Sequence, residues 1–429
     1  MLGNGYLRGM NGMNGINGTE GLDGVVLLDD GRGHFGPLTD LRSTADLRSG
    51  MLTTGARLLH DVGLPLAALR VPEGLAGIVE SNHPGVPVNR PPVGRGGFLV
   101  LNTRMLDGCS GPLPGAHTAA LDAHGDIRMA VVDHAAVSAL LEGGTFPDAV
   151  ATSVTDGPAL AEAAWDVFTT AGDRIAGDLD RLGAGWGSPP DASPVGPTVL
   201  GDHPVRIAAT ATFDPGVVMD ARAGAIAIGA NVHVGINAAI HGPCAVLEST
   251  RVADHAMLKA NTVIGPHCRV GGEIGGTVFQ GFANKSHHGH LGDSWVGAWA
   301  NLGAGTVNSN LLNTYGDVAM RLSPDGPRLR SGRQFLGCVI GDHAKTAIGT
   351  RIMTGTSIGT GAMIATSTPP AATVPAFTWA TDAGTRCYRF DKFLAVARSV
   401  MARRQLELDA AAEARLRGLH PEAGREVGS

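Results

Sequence analysis

The chain has 429 residues, too many for one ordinary hydrophobic core, and a net charge of −6 from 33 basic and 39 acidic side chains. It has no basic patch with interleaved aromatic residues, which argues against nucleic acid as the main partner. The five cysteines have neither paired nor metal-type spacing, and no secretory or membrane segment is recognisable. We therefore expect reduced thiols, no membrane contact and a cytoplasmic location.

The N-terminal part of the chain predicts a tail followed by an α/β domain. Residues 1–24 are rich in Gly and Asn and are expected to be disordered. Over residues 25–186, apolar runs bounded by Gly, Pro and Asp alternate with helix-like segments, which predicts a mainly parallel sheet. Strands are expected at 25–28, 64–71, 98–101 and 129–132, and helices near 50–60 and over 159–182, the second connecting to a Gly/Pro-rich linker at 187–198.

Within residues 199–376 an aliphatic residue recurs at every sixth position in two separate runs, with Thr346 as the only polar substitute. The first run is Ile228, Val234, Ile240, Val246, Val252, Leu258, Ile264 and Val270, and the second is Ile340, Thr346, Ile352, Ile358 and Ile364. A period of six fits a parallel β-solenoid in which each hexad forms one short side of a triangular coil and points its aliphatic residue inward. The abundance of glycine, 63 residues, suits the tight corners of such coils.

Residues 377–429 predict a C-terminal helical segment. Its apolar positions form one stripe, namely Phe390, Phe393, Leu394, Ala397, Val400 and Met401. Such a stripe is typical of a helix that packs on a core, so we expect it to cover the solenoid or a neighbouring subunit.

A histidine-rich segment interrupts the hexads, and polar residues follow on the next coil. The residues concerned are His287, His288, His290, Asn301, Asn308 and Asn310. An imidazole could accept the proton of an attacking amine, and the N–H groups of Gly303, Ala304 and Gly305 could stabilise an oxyanion. The three histidines could instead bind zinc, or the segment could be a solvated loop without chemistry. The residues alone leave these three interpretations open.

Two strings carry a resemblance to a known family: Asn284-Lys285-Ser-His287-His-Gly289-His-Leu291-Gly292 and Asn301-Leu-Gly-Ala-Gly-Thr306-Val-Asn308-Ser-Asn310-Leu311. They resemble the acetyltransferase half of the bifunctional UDP-N-acetylglucosamine pyrophosphorylase/glucosamine-1-phosphate acetyltransferase (GlmU). They resemble still more closely the bacterial GlmU-like sugar nucleotidyltransferases. Shorter blocks at 28–30, 37–53, 272–273, 341–346 and 400–404 extend the resemblance over most of residues 25–405.

The resemblance implies a nucleotidyltransferase-like α/β domain followed by a left-handed parallel β-helix, assembled as a homotrimer with acetyl-CoA bound between subunits. It implies that His287, four residues before Leu291, is the catalytic base. The candidate substrate contacts are Asn284, Lys285 (to a phosphate), His290, Asn301, Asn310 and Tyr315. The candidate oxyanion and acyl-CoA contacts are Gly303, Ala304, Gly305 and Lys345, and no metal ligand is implied among these residues.

Three positions depart from the family pattern. Residues 28–37 lack the usual Gly-rich phosphate loop of nucleotidyltransferases, and Asn102 stands where an active uridylyltransferase carries a metal-binding aspartate. Both departures suggest a degenerate nucleotidyltransferase domain, which would use Mg²⁺ only if it were active. Leu312 replaces a lysine of the close relatives and removes an expected phosphate-binding charge.

The sequence therefore predicts a CoA-dependent N-acyltransferase, with acetyl-CoA as donor and the amine of a sugar, a sugar nucleotide or a sugar-like small molecule as acceptor. One alternative is a bifunctional sugar-1-phosphate nucleotidyltransferase/acetyltransferase. A second is a trimeric β-helix metalloenzyme of the γ-carbonic-anhydrase type. A third is a catalytically inactive binding scaffold.

Overall fold

A computed structural model of the chain describes residues 18–155, 159–189 and 196–422. Within these ranges the chain forms two compact units. The first contains residues up to Gly33, Leu41–Leu47 and Leu52–Glu162, and the second contains His34–Asp40, Arg48–Met51 and the residues from Ala163 onward. Most of the predicted tail (1–24) and half of the predicted linker (187–198) lie outside the described residues, so the domain boundaries remain a prediction.

The first unit is a six-stranded sheet with three α-helices. Its strands are β1 Leu22–Leu28, β2 Leu66–Arg70, β3 Gly97–Asn102, β4 Thr118–Leu121, β5 Ile127–Val132 and β6 Ala151–Val154, and its helices are α1 Thr54–Val62, α2 Ala76–Asn82 and α3 His134–Gly143. The strand order is β2-β1-β3-β5-β4-β6. The predicted α/β class is confirmed. The sheet is mixed, however, because a tight turn folds β4 and β5 into a hairpin, so that β5 runs antiparallel to both β3 and β4.

Two helices of this unit begin and end where local chemistry dictates. The side chain of Thr53 accepts a hydrogen bond from the N–H of Ala56 before α1, and Asp133 accepts one from Ala136 before α3. Such N-caps satisfy main-chain donors that the first turn leaves unpaired. Gly63 and Gly144 end the two helices with φ of 68° and 79°, a conformation that glycine adopts without strain.

The connecting segment, predicted as one helix over 159–182, contains two helices, α4 Ala164–Phe168 and α5 Ala171–Leu182. The break falls at two threonines. The hydroxyl of Thr169 donates to the carbonyl of Trp165 at 2.7 Å, and that of Thr170 donates to Asp166 at 3.4 Å. These side chains compete with the main-chain N–H groups that would continue the helix.

The second unit is a parallel β-helix with three faces. The first face contains Thr198–Leu200, Val218–Asp220, Ala239–His241, Met257–Leu258, Glu273–Gly275 and His290–Gly292, followed by the pair Val307–Asn308 and Arg351–Ile352. The second face contains Val205–Ile207, Ile226–Ile228, Cys244–Val246, Thr262–Ile264, Val278–Phe279, Trp295–Val296, Cys338–Ile340, Thr356–Ile358 and Thr373–Val374. The third contains Thr212–Phe213, His233–Val234, Arg251–Val252, Arg269–Val270, Asn284–Lys285, Asn301–Leu302, Lys345–Thr346, Met363–Ala365, Thr378–Thr381 and Gly384–Cys387. This confirms the predicted solenoid fold.

The inward residues of the coils are those that the period of six predicts. All thirteen members of the two runs are buried, with at most 5% of their surface exposed. They stack coil on coil, as Val246 does on Ile264 and Ile340 on Ile358. Burying each aliphatic side chain stabilises the fold by roughly 1.5–3 kcal/mol.

The second run is out of phase with the first because some coils between them are shorter. The inward residues Val270, Ile274 and Phe279 follow one another at spacings below six, as do Leu291 and Val296. An insertion between Asn310 and Leu336 then carries the antiparallel hairpin Ala319–Arg321 and Arg328–Arg330. A strict search for hexads therefore loses the pattern in the region of the histidines.

The C-terminal part extends the β-helix and then covers it. The third face continues to Cys387, beyond the predicted end at 376, and the helices α6 Phe390–Ala402 and α7 Ala410–Leu419 follow. One corner of the β-helix carries a stacked column of rings, with centroid separations of 4.6 Å for His267–Phe282, 4.4 Å for Phe282–Trp299 and 6.2 Å for Trp299–His343. Phe393 packs on His343, and Val400, Met401 and Leu406 pack near Phe282 and Trp299. The predicted apolar stripe thus packs on the β-helix of its own chain.

Four short 3-10 helices complete the described elements: Gly36–Thr39, Thr44–Asp46, Glu73–Leu75 and Ala184–Trp186. Among the helices of the described ranges, none has the length and apolar character that crossing a membrane requires.

Candidate functional site

His287 lies in the histidine loop, residues 286–289, which turns the corner from the third face to the first. The loop joins the strand Asn284–Lys285 to the strand His290–Gly292. The side chain of His287 is exposed, and within the described residues its imidazole makes no hydrogen bond. Its ring is therefore free to meet a bound molecule, while its backbone is fixed at the start of the turn.

Lys285 fixes that backbone from inside the β-helix. Only 1% of the residue is exposed, and its Nζ donates to the carbonyl oxygens of His287 at 2.8 Å and Gly271 at 3.1 Å. Burial lowers the pKa of this amine to about 8. Both the predicted phosphate contact and a solvated loop position are therefore wrong for Lys285, which occupies an inward position in register with Val270.

Asn284 and Asn301 meet on the outside of the third face. They are in register on adjacent coils, and the Nδ2 of Asn284 lies 3.4 Å from the Oδ1 of Asn301. The next coil places Lys345 beside Asn301, where its Nζ donates to the carbonyl of His343 at 3.1 Å and burial lowers its pKa to about 8. Three of the predicted contacts thus form one column that leads away from the histidine loop.

Arginines that the sequence did not single out continue this column in the other direction. Arg251 and Arg269 precede Asn284 in register, and both are exposed. From beyond the C-terminal end of α6, the Nη2 of Arg404 donates to the Oδ1 of Asn284 at 3.0 Å. Burial, together with the charges of Arg269, Arg403 and Arg251, lowers the pKa of Arg404. In the part of the chain that the structure describes, no carboxylate pairs with Arg251, Arg269 or Arg404.

His290 and Asn310 meet on the first face. A Cβ at Gly292 would lie 2.6 Å from the Nε2 of His290 and 2.8 Å from the Nδ2 of Asn310, so both side chains lie over this glycine. Acidic residues hold them in place. Asn310 donates to Asp293 at 2.6 Å, and the Nδ1 of His290 lies 3.5 Å from Glu273. Burial raises the pKa of Asp293.

Asn308, one coil above this cluster, is a structural residue. It is only 7% exposed, and its side chain bonds the N–H of Gly292 at 2.8 Å and the carbonyl of Gly292 at 2.9 Å. It thereby fixes the glycine over which His290 and Asn310 lie.

The predicted oxyanion donors are only partly available. The N–H of Gly303 donates to the carbonyl and to the hydroxyl of Thr346, both at 3.1 Å, so this residue is removed from the predicted set. The N–H groups of Ala304 and Gly305 donate to no group within the described ranges. His288 approaches them, because its Nε2 would lie 3.9 Å from a Cβ at Gly305.

Two further predictions have different outcomes. Tyr315 lies on the insertion with 68% of its surface exposed. Its N–H donates to the carbonyl of Leu312 at 2.8 Å, and its carbonyl accepts from the Nε2 of Gln334 at 2.9 Å. The structure does not join it to the other candidates. No three His, Cys, Asp or Glu side chains of the described residues stand close enough to hold a metal ion, so a zinc site of His287, His288 and His290 within one chain is contradicted.

Comparison with known proteins gives partial matches over about a quarter of the chain. No family model matches the chain. The bifunctional protein GlmU of Methanococcus vannielii is 34% identical over 102 residues, and that of Cyanothece sp. is 29% identical over 130 residues. A bifunctional sugar-1-phosphate nucleotidylyltransferase/acetyltransferase of Sulfurisphaera tokodaii is 29% identical over 103 residues. Over these stretches the chain is similar to GlmU proteins.

The three matches are partial. They cover 23%, 29% and 24% of this chain and 24%, 27% and 25% of the respective relatives, so the chain spans about a quarter of their length. Among solved structures, the acetyltransferase domain of PglB from Neisseria gonorrhoeae in complex with acetyl coenzyme A is 12% identical. It covers 64% of this chain and 100% of that chain with a TM-score of 0.15, which is too low to support an argument.

Proposed function

We propose that this protein is a CoA-dependent N-acyltransferase, with acetyl-CoA as donor and the amine of a sugar-like small molecule as acceptor. The observation that carries this proposal is the exposed imidazole of His287, whose backbone is held by Lys285. The unbonded N–H groups of Ala304 and Gly305 lie one coil above it. The partial match to a bifunctional protein named as a nucleotidylyltransferase/acetyltransferase supports the same chemistry.

The reaction follows from these groups. His287 accepts a proton from the amine while the nitrogen attacks the thioester carbon of acetyl-CoA. The N–H groups of Ala304 and Gly305 stabilise the oxyanion of the tetrahedral intermediate. As the carbon–sulfur bond breaks, the protonated His287 returns the proton to the CoA thiolate, and the products are the amide and free CoA. Asn301 and Asn310 orient the reactants from either side of the loop.

The arginines beside Asn284 support an acceptor that carries an anionic group. Arg269 and Arg404 lie next to a candidate substrate contact, and no acidic side chain of the described residues neutralises them. A phosphate or carboxylate bound there would gain charge-assisted hydrogen bonds. Arg269 and Arg404 would thus supply the positive charge that is lost where Leu312 replaces a lysine.

Replacing Arg404 with glutamine is expected to raise the KM for the acceptor about tenfold or more, with little change in kcat, because one charge-assisted hydrogen bond contributes about 1.5–3 kcal/mol. Steady-state kinetics with varied acceptor measures this. The matched control is Arg403→Gln, which removes the adjacent exposed charge. Equal effects of the two variants would show that only the general positive potential matters.

The test of the function itself is release of CoA thiol from acetyl-CoA in the presence of a panel of amino sugars, sugar phosphates and sugar nucleotides. We expect turnover with at least one amine and none with the corresponding N-acetylated compounds. Calorimetry with acetyl-CoA alone is the second measurement. No binding and no turnover across the panel would reject the proposal. Light scattering tests the proposed homotrimer, for which a mass of about three 43.8 kDa chains is expected.

A further inference from the structure

The first unit contains a pocket that the acyl-transfer proposal does not use. It lies at the carboxyl ends of β1 and β2, the edge at which open α/β sheets bind their ligands. Its volume is about 470 Å³, and Asp30, Arg32, Arg70, Asp126 and Phe146 are among the residues that line it. That volume falls within the range of small-molecule sites.

The resemblance to nucleotidyltransferases implies a Mg²⁺ ion at this edge, and the residues present can be tested for it. Mg²⁺ prefers carboxylate oxygens with free lone pairs and an octahedral set of oxygen ligands. Asp29, Asp30 and Asp126 line the pocket, but both oxygens of Asp29 accept main-chain N–H groups, from Gly31 and Thr44, which leaves the carboxylates of Asp30 and Asp126. The carboxamide of Asn102 turns its nitrogen toward Asp30, donating at 2.9 Å, and its oxygen accepts from the N–H of Arg104. It presents no oxygen to a cation beside Asp30.

A guanidinium already bridges the two carboxylates. Arg104 is 3% exposed, and its Nη2 donates to Asp30 at 2.7 Å and also to Asp126. Its Nε makes a further bond to Asp30 at 3.1 Å. Arg32 pairs with Asp126 from the solvent side, so two positive charges balance two negative ones. A divalent ion would have to displace a buried guanidinium from both acids, which would leave that charge with only the carbonyl of Ala161 as a partner and is strongly unfavourable. Mg²⁺ does not fit this site.

We propose that Arg104 is a fixed internal cation that takes the place of the divalent metal, and that this pocket is closed to metal ions. Transfer of a nucleotidyl group relies on a metal to neutralise the charge that develops on the phosphates. Arg104 cannot move with the substrate, because both acids hold it. The first unit therefore keeps a pocket of small-molecule size but does not carry out metal-dependent nucleotidyl transfer.

Titration of Mn²⁺ into the full-length protein, followed by calorimetry, tests the proposal. The wild type is expected to show no binding, and its melting temperature should be the same in EDTA and in Mn²⁺. Removing the guanidinium in Arg104→Met leaves Asp30 and Asp126 without their shared partner. The double variant Asn102→Asp/Arg104→Met adds a third carboxylate. We expect both variants to gain Mn²⁺ binding, the double variant about tenfold more tightly.

The matched control is Arg32→Met, which removes the exposed charge but keeps Arg104, and which should not bind Mn²⁺. If the Arg104 variants do not fold, the wild type still decides the question. Mn²⁺ binding by the wild type that is lost in Asp30→Asn would overturn the proposal. Metal-dependent release of pyrophosphate from a nucleoside triphosphate and a sugar 1-phosphate by the wild type would overturn it as well.

Discussion

Replacing His287 with alanine is expected to lower kcat for acyl transfer by about 10²–10⁴-fold, the usual contribution of a general base. The exposed imidazole makes no hydrogen bond within the described residues, so its removal leaves no buried group unpaired. We therefore expect the melting temperature and the affinity for acetyl-CoA to remain close to those of the wild type. Single-turnover kinetics with saturating donor separates chemistry from product release.

Its neighbours provide matched controls for this prediction. His288→Ala removes a second exposed imidazole from the same loop, one whose ring lies nearer Gly305. His290→Ala removes the ring beside Asn310 and should mainly raise the KM for the acceptor. If His288→Ala shows the large loss of kcat and His287→Ala does not, the base is His288 and the role taken from the family motif is wrong.

Replacing Lys285 with methionine is expected to raise the stability of the fold at pH 7 while lowering the activity. Burial lowers the pKa of this amine from its ordinary value of 10.5 to about 8. Below pH 8 the lysine is protonated in both states, and the full cost of burying its charge opposes folding. Between pH 8 and 10.5 the unfolded chain binds more protons than the folded one, so stability rises with pH. For one such group the rise is about 3 kcal/mol.

The methionine variant should lose this rise and should be more stable than the wild type at pH 7. The gain is about 1 kcal/mol, because loss of the two hydrogen bonds to main-chain carbonyls offsets part of the burial cost. Methionine is similar to lysine in length, so its side chain should fit at position 285, between the buried inward residues Val270 and Leu302. Denaturant unfolding between pH 7 and 10 measures the change.

The same substitution should reduce activity, because the Nζ of Lys285 holds the carbonyl of His287. A displacement of a catalytic group by about 1 Å can cost about 10²-fold in rate. Lys345→Met is the matched control for stability alone, because Lys345 is itself a candidate acyl-CoA contact: the pKa of that amine is also about 8, but it bonds the carbonyl of His343 instead. This variant should remove the part of the pH dependence of stability that Lys345 contributes, and it should leave the backbone of the histidine loop in place. A wild-type stability that does not change between pH 8 and 10 would contradict the argument.

Much of the fold could be predicted because its signal is local. In the β-helix the same environment recurs at each coil, so Ile228 and the residues that follow it at intervals of six report the inward direction directly. Four of the six strands of the first unit, β1, β2, β3 and β5, were recognisable from buried runs bounded by turn residues, whereas β4 and β6 were not predicted. The hairpin of β4 and β5, the break at Thr169 and the extension of the third face to Cys387 were missed, since each depends on a particular turn or side-chain bond.

The candidate site was predictable as a set of residues but not as a set of roles. Motif spacing directed attention to His287, Asn301 and Asn310, and the structure places each of them near the histidine loop. The sequence did not show that Lys285 points inward, because the shortened coils between Val270 and Phe279 hide the phase of the repeat. Nor did it show that the N–H of Gly303 is taken by Thr346, which depends on pairing across an insertion.

The sequence by itself determined the repeating scaffold and the position of the histidine loop within it. Only the tertiary structure decided which charges are neutralised and by what. Arg404 reaches Asn284 from the far end of the second unit, and Arg104 lies between Asp30 and Asp126, which come from separate strand ends. Periodicity and motifs report the environment of neighbouring residues. Charge pairing depends on which distant segments meet, and that is fixed only when the whole chain packs.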